Sequence, residues 1–154
     1  MCKINEERGD LFKTKDLLEF DYNFAYAHCI SQDCAMGKGI AKTFVKKYPK
    51  IKGYCKHMIY EYKLEYPCSI PYTDDSGDII FNLVTKKNYY DKPTYKTVRK
   101  ALEIMAIQAE EFNINYLAIP LIGCGLDKLN WGKVKQIIEE VFENSDINII
   151  VRYL

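Results

Sequence analysis

The stretch Ile119-Pro120-Leu121-Ile122-Gly123-Cys124-Gly125-Leu126-Asp127 joins an apolar run to a glycine-rich turn and ends on an acid. Tyr116 to Ile122 reads as a buried strand, and Gly123 and Gly125 let the backbone take positive φ and approach a ligand closely. Successive N–H groups in such a turn, followed by a helix beginning near Asn130, make a seat for an anion, with diphosphate as the natural guest. A carboxylate is a poor neighbour for phosphate, so Asp127 either caps the turn or the helix, or it does chemistry. Chemistry would require a second residue.

The same pattern occurs earlier. Phe24 to Ile30 reads as a strand, and Ser31-Gln32-Asp33-Cys34-Ala35-Met36-Gly37-Lys38-Gly39 follows as a second glycine turn. Ile40, Ala41, Phe44, Val45 and Tyr48 then recur at helical spacing until Pro49, so a phosphate could also rest on this helix start. Lys38 there is either a phosphate contact or a solvated side chain. Near the start, Ile4 to Arg8 is a short edge strand that ends in Gly9-Asp10-Leu11-Phe12. Asp10 either caps a turn or accepts a hydrogen bond from the exocyclic amine of a base. From Lys42 to His57 the chain carries six lysines and no acid, which reads first as a solvated helix face and second as a contact for a polyanion.

These residues need elements to hold them. At 154 residues, 48% apolar and with a net charge of +1, the chain is expected to be one self-folding domain without a strong global field. It has no apolar run long enough to cross a bilayer, and Met1 to Asp10 is polar. The expectation is therefore a soluble, monomeric, cytoplasmic protein, with the nucleus open in a eukaryotic host and no membrane partner. The six cysteines do not form a framework of turns and lack paired zinc spacing, so reduced thiols and no metal site are expected. Cys68 to Tyr72 and Asp78 to Thr85 read as a hairpin that delivers Lys86 and Lys87, a pair ordinarily exposed. A helix follows from Thr94, with Val98, Ala101, Leu102, Met105, Ala109 and Phe112 on one face. Val134, Ile137, Ile138, Val141 and Phe142 mark another helix, and Ile147 to Leu154 a last strand. His28 reads as a core histidine, and Trp131 and most tyrosines as packing. Alternating strands and helices argue for an α/β fold: a mixed sheet with helices on both faces and ligands at the strand ends.

Five blocks resemble, in order and spacing, the macrodomain family. They are Gly9 to Phe12; Ala27 to Ala41; Leu83 to Lys87; Lys92-Pro93-Thr94-Tyr95; and Pro120 to Asp127. Within that family they are similar to the terminal ADP-ribose protein glycohydrolases, a group that includes the DarG-type antitoxin macrodomains. The resemblance implies a three-layer α/β/α fold that binds ADP-ribose and needs no cofactor. It implies that Asp10 holds the adenine amino group and Leu11 its neighbouring edge, while Ser31, Gly37, Lys38, Gly39 and Ile40 face the ligand. Leu121, Ile122, Gly123, Cys124, Gly125 and Leu126 would wrap the diphosphate and distal ribose, and Leu154 would close the adenine side. An aromatic is expected at position 152, where this chain has Arg, so Tyr153 or Arg152 would supply adenine stacking. The segment Lys50 to Pro71 matches no part of the pattern.

The implied catalytic pair is Lys86 and Asp127. A lysine amine is charged at neutral pH and attacks a sugar carbon only after losing its proton, which gives a nearby carboxylate a purpose. The activity implied is removal of single ADP-ribose units ester-linked to glutamate or aspartate of proteins, with deacetylation of O-acetyl-ADP-ribose beside it. Nucleic acid as the carrier, supported by the lysine run alone, and a non-catalytic ADP-ribose reader are the rival readings. A minor phosphatase activity on ADP-ribose-1″-phosphate is also compatible.

Overall fold

Two eight-residue runs free of acids and buried along almost their whole length, Phe24–Ser31 (β2) and Ile79–Lys86 (β4), suit strands covered on both faces, and they pair in parallel at the centre of a sheet. The computed structural model describes residues 2–18 and 23–154; Met1, the first residue of the polar N-terminal stretch, lies outside the described residues. Around the central pair stand Lys3–Arg8 (β1), Cys68–Thr73 (β3), Tyr116–Ile119 (β5) and Asn148–Tyr153 (β6), in the order β1-β6-β5-β2-β4-β3. All neighbours are parallel except β3, which forms the expected hairpin with β4. The charged, mostly exposed β1 lies at an edge, where unpaired backbone is protected by charge.

Helices cover both faces. Gly39–Lys47 (α1) and Ile51–Tyr62 (α2) bury Phe44, Ile51 and Cys55 against Tyr26, Ile30, Ile80 and Val84. Tyr95–Glu111 (α3) and Trp131–Val141 (α4) bury Val98, Leu102, Met105, Val134 and Ile138 against Phe81, Leu83, Leu117 and Ile149. Thr94 caps α3 in a reciprocal pair with Thr97, and Asn130 caps α4. His28 is fully buried, its Nε2 2.7 Å from Asn82 Oδ1 and its ring stacked on Phe44. Among the described residues no helix is long and apolar enough to cross a membrane.

Two expectations are corrected, and one segment without a family match gains a structure. β5 stops at Ile119 instead of Ile122, because Pro120 has no N–H to give to a ladder between two neighbours. Phe112 leaves the apolar face of α3 as its C-cap and is 39% exposed. The unassigned segment after Lys50 contains α2, whose fully buried residues are only Ile51 and Cys55.

Candidate active site

The candidate binding and catalytic residues sit at or just beyond the ends of parallel strands, and the sheet order lays these endings out in a row. Asp10 and Leu11 follow β1, Leu154 follows β6, Leu121 to Asp127 follow β5, Ser31 ends β2, and Lys86 ends β4. Crossover connections bring the same end of each parallel strand to one edge, so residues distant in sequence become neighbours.

Lys86 and Asp127 meet. Lys86 Nζ donates to Asp127 Oδ1 at 2.6 Å, and the two side chains are only 14% and 13% exposed. Lys86 thus departs from the exposure expected of a paired lysine, while Lys87 keeps it. Among the described residues Asp127 caps neither turn nor helix: Asn130 Oδ1 accepts from Lys133 N–H at the start of α4. Ser31 pairs in register with Lys86 across β2 and β4, just past an irregularity in the ladder.

The β5 turn closes on itself. Cys124 N–H donates to Leu121 O, Lys128 N–H to Gly125 O, and Leu129 N–H to Gly123 O at 2.8 Å. Gly123 has φ +72°, a left-handed backbone that favours glycine, and a Cβ there would stand 3.0 Å from Leu129 Cδ1. Gly125 departs from expectation, since its φ is not in the left-handed region; a Cβ there would meet nothing within 4 Å. Lys92 Nζ ties this turn to the loop between β4 and α3 by donating to Leu126 O at 2.8 Å.

The β2 turn is held differently. Cys34 and Met36, both buried, take positive φ of 54° and 47°, and Gly39 takes +62° as α1 begins. No side chain caps α1, and Lys38 and Gly37 are exposed, so its first-turn N–H groups are open to an outside acceptor. A Cβ on Gly39 would lie 3.3 Å from Leu126 Cδ1, so the two glycine turns approach each other closely, and Ile40 packs partly buried against the core under α1.

At the far end of the row, Asp10 Oδ1 accepts from Phe12 N–H at 2.9 Å, which caps the short turn at Leu11–Lys13. Leu11 is buried and Leu154 exposed, and the Gly9 N–H donates to Tyr153 O beside them. Arg152 lies against the face of Gly9, since a Cβ there would come within 2.0 Å of its Nη2, and it pairs with Glu7 at 3.0 Å.

Sequence reasoning gave Asp33 no role, yet its carboxylate joins two segments of the site. Oδ1 accepts from Ser31 Oγ and from Ala35 N–H, and Oδ2 accepts from Tyr89 N–H at 2.9 Å. Burial alone would raise this group; the hydrogen bonds from Ser31, Tyr89 and Ala35 outweigh it and hold the carboxyl below its usual range. The signal was an acid two residues before a main-chain N–H, the pattern of an Asx turn. Burial, with the charge of Asp127 behind it, pushes Cys29 up to about 12, and burial pushes Cys124 up to about 11, so the thiolate form is disfavoured at both. The lysine run lies on and around α1 and α2, where Lys47 stands 4.9 Å over the Phe12 ring and Lys50 pairs with Asp75.

Residues 27–138 match the family model described as Macro domain. This chain belongs to the macrodomain family. ADP-ribose glycohydrolase OARD1 from Homo sapiens is 40% identical to this macrodomain over 152 residues, covering 97% of this chain and 90% of that protein. The protein of that name from Bos taurus is 40% identical over 149 residues, with the same coverage. Among solved structures, the macrodomain of Thermus aquaticus DarG superposes with a TM-score of 0.83 at 22% identity, covering all of both chains. Thermosipho africanus DarTG in complex with ADP-ribose gives 0.81 at 18% identity, over 97% of this macrodomain and 42% of that chain. At these identities the structures speak for the fold, which is the expected α/β architecture of a six-stranded mixed sheet flanked by helices.

Proposed function

We propose that this macrodomain binds ADP-ribose along the row of strand ends and hydrolyses single ADP-ribose units ester-linked to glutamate or aspartate side chains of proteins. The observation that carries this reading is the 2.6 Å contact between Lys86 and Asp127 at the end of that row. The names of the relatives, ADP-ribose glycohydrolases across nearly the whole chain, support the hydrolase class. In this proposal Asp10 and Leu11 receive the adenine with Leu154 beside them, the uncapped start of α1 and the β5 turn receive the diphosphate, and Ser31 faces the distal ribose.

The chemistry follows from the pair. Asp127 takes a proton from the Lys86 ammonium, and the freed amine attacks C1″ of the distal ribose. A bond forms between Nζ and C1″ as the bond from C1″ to the acyl oxygen breaks, and the carrier departs as a carboxylic acid or carboxylate. Water then replaces Lys86 at C1″ with Asp127 handling the proton, which releases ADP-ribose and restores the amine. O-acetyl-ADP-ribose would be a second substrate of the same pocket. A reader without catalysis would have no need to bury an amine against a carboxylate.

Lys86→Ala and Asp127→Ala are each expected to lower turnover of an ADP-ribosylated glutamate peptide by about a thousandfold. ADP-ribose affinity by calorimetry should stay within a few-fold. Full activity of the Lys86→Ala protein would remove the covalent mechanism, and binding without product in the parent protein would make it a reader.

A further inference from the structure

Beyond Lys86 the row of strand ends has one more member. β3 neighbours β4 at the sheet edge and runs antiparallel to it, so it begins where β4 ends, with Cys68 beside Val84. The chain that enters β3 therefore lies at the same end of the sheet as Lys86. It leaves α2 through Lys63, which takes a left-handed φ of 51°, and with the last turn of α2 it walls an open groove of about 510 Å³. Tyr60, Glu61, Lys63, Leu64 and Glu65 line this groove, and Gln32 lines it from the catalytic side.

Gln32 connects groove and site. It follows Ser31 directly, its N–H donates to Lys86 O at 2.9 Å, and its Oε1 accepts from Tyr66 N–H at 2.9 Å. The residue that holds the backbone of the nucleophile thus also holds the segment behind the groove.

We propose that this groove receives the polypeptide flanking the ADP-ribosylated residue and prefers basic neighbours. The proposal rests on the hydrolase reading above. With adenine at β1 and C1″ at Lys86, the group leaving C1″ departs away from the diphosphate, toward β3 and the groove. The chemistry of the lining selects among carriers. Glu61 and Glu65 have no ion-pair partner among the described residues, and Lys63 is the one cation in the lining, which leaves it net acidic. A nucleic acid would bring phosphates against those carboxylates, whereas lysine or arginine side chains would complement them. Tyr60, 83% exposed, adds an aromatic surface for a chain to lie on.

The test compares kcat/KM on four ADP-ribosyl esters: a glutamate peptide flanked by lysines, the same peptide flanked by glutamates, N-acetylglutamate with no flanks, and single-stranded DNA esterified at its terminal phosphate. The lysine-flanked peptide should exceed the glutamate-flanked one by about tenfold. A Glu61→Lys/Glu65→Lys variant should erase that preference while leaving both the N-acetylglutamate ester and ADP-ribose affinity unchanged. A preference that survives in the variant, or a DNA ester favoured over the lysine-flanked peptide, would overturn the proposal. No turnover of any ester by the parent protein would instead end the hydrolase reading and the groove's role with it, so the two failures are distinguishable.

Discussion

The two glycine turns look alike in sequence but solve opposite problems. The turn after β5 satisfies itself, through main-chain bonds across Leu121 to Leu129 and an Asn130 cap on α4. The turn after β2 takes left-handed backbone at Cys34, Met36 and Gly39 and then opens α1 with no side-chain cap from its N-cap residue Lys38. In the proposed complex both line the diphosphate, one as a closed frame that also holds Asp127 against Lys86, the other as an open helix end suited to an anion. The same strand-glycine-helix pattern therefore does not by itself say where phosphate binds. Whether the helix start already has an acceptor decides it.

This contrast can be broken by pH. His28 stacks on Phe44 of α1 at 4.0 Å, and burial, opposed by its bond with Asn82, pulls its pKa down to about 4 from an ordinary 6.5. A depressed pKa means that the unfolded chain binds the proton first. The stability from neutral His28 is therefore whole above pH 6.5 and is lost progressively as pH falls to about 4, a total of about 3 kcal/mol. Chemical denaturation from pH 7 to 4 should show this slope in the parent protein and lack it in His28→Gln. A substitution on each turn sharpens the contrast at smaller cost. Gly39→Ala forces an alanine into left-handed backbone against Leu126, which should cost about 1–2 kcal/mol and weaken ADP-ribose binding roughly tenfold. Asn130→Ala should cost about 1 kcal/mol of stability and leave ADP-ribose affinity unchanged. Equal losses of affinity in both variants would make α4 an anion seat as well and erase the distinction.

Much of the architecture was legible because it rests on short-range rules. The hairpin, the helix starts near Thr94 and Asn130, and the helix-face positions that become core, Val98, Leu102 and Met105 on α3 and Val134 and Ile138 on α4, all follow from turn chemistry and periodicity. What was hidden depends on neighbours. α2 shows little apolar stripe because its buried anchor is one pair, Ile51 and Cys55, set among lysines and tyrosines. The left-handed Cys34 and Met36 carry no glycine to mark them; one support is Asp33, whose Oδ1 accepts from Ala35 N–H, and that carboxylate gets its importance from Tyr89, contributed by the loop after β4. At the site, the oddity of an acid beside a phosphate turn was visible at Asp127, but its lysine was supplied by family resemblance and not by any local pattern.

The decisive measurement is a double-mutant cycle on turnover with Lys86→Ala, Asp127→Ala and the pair combined. If the amine and the carboxylate act as one unit on one carbon, the double variant will be no slower than the slower single variant. Losses that multiply would mean that the two side chains work independently, and the shared-proton mechanism would be wrong.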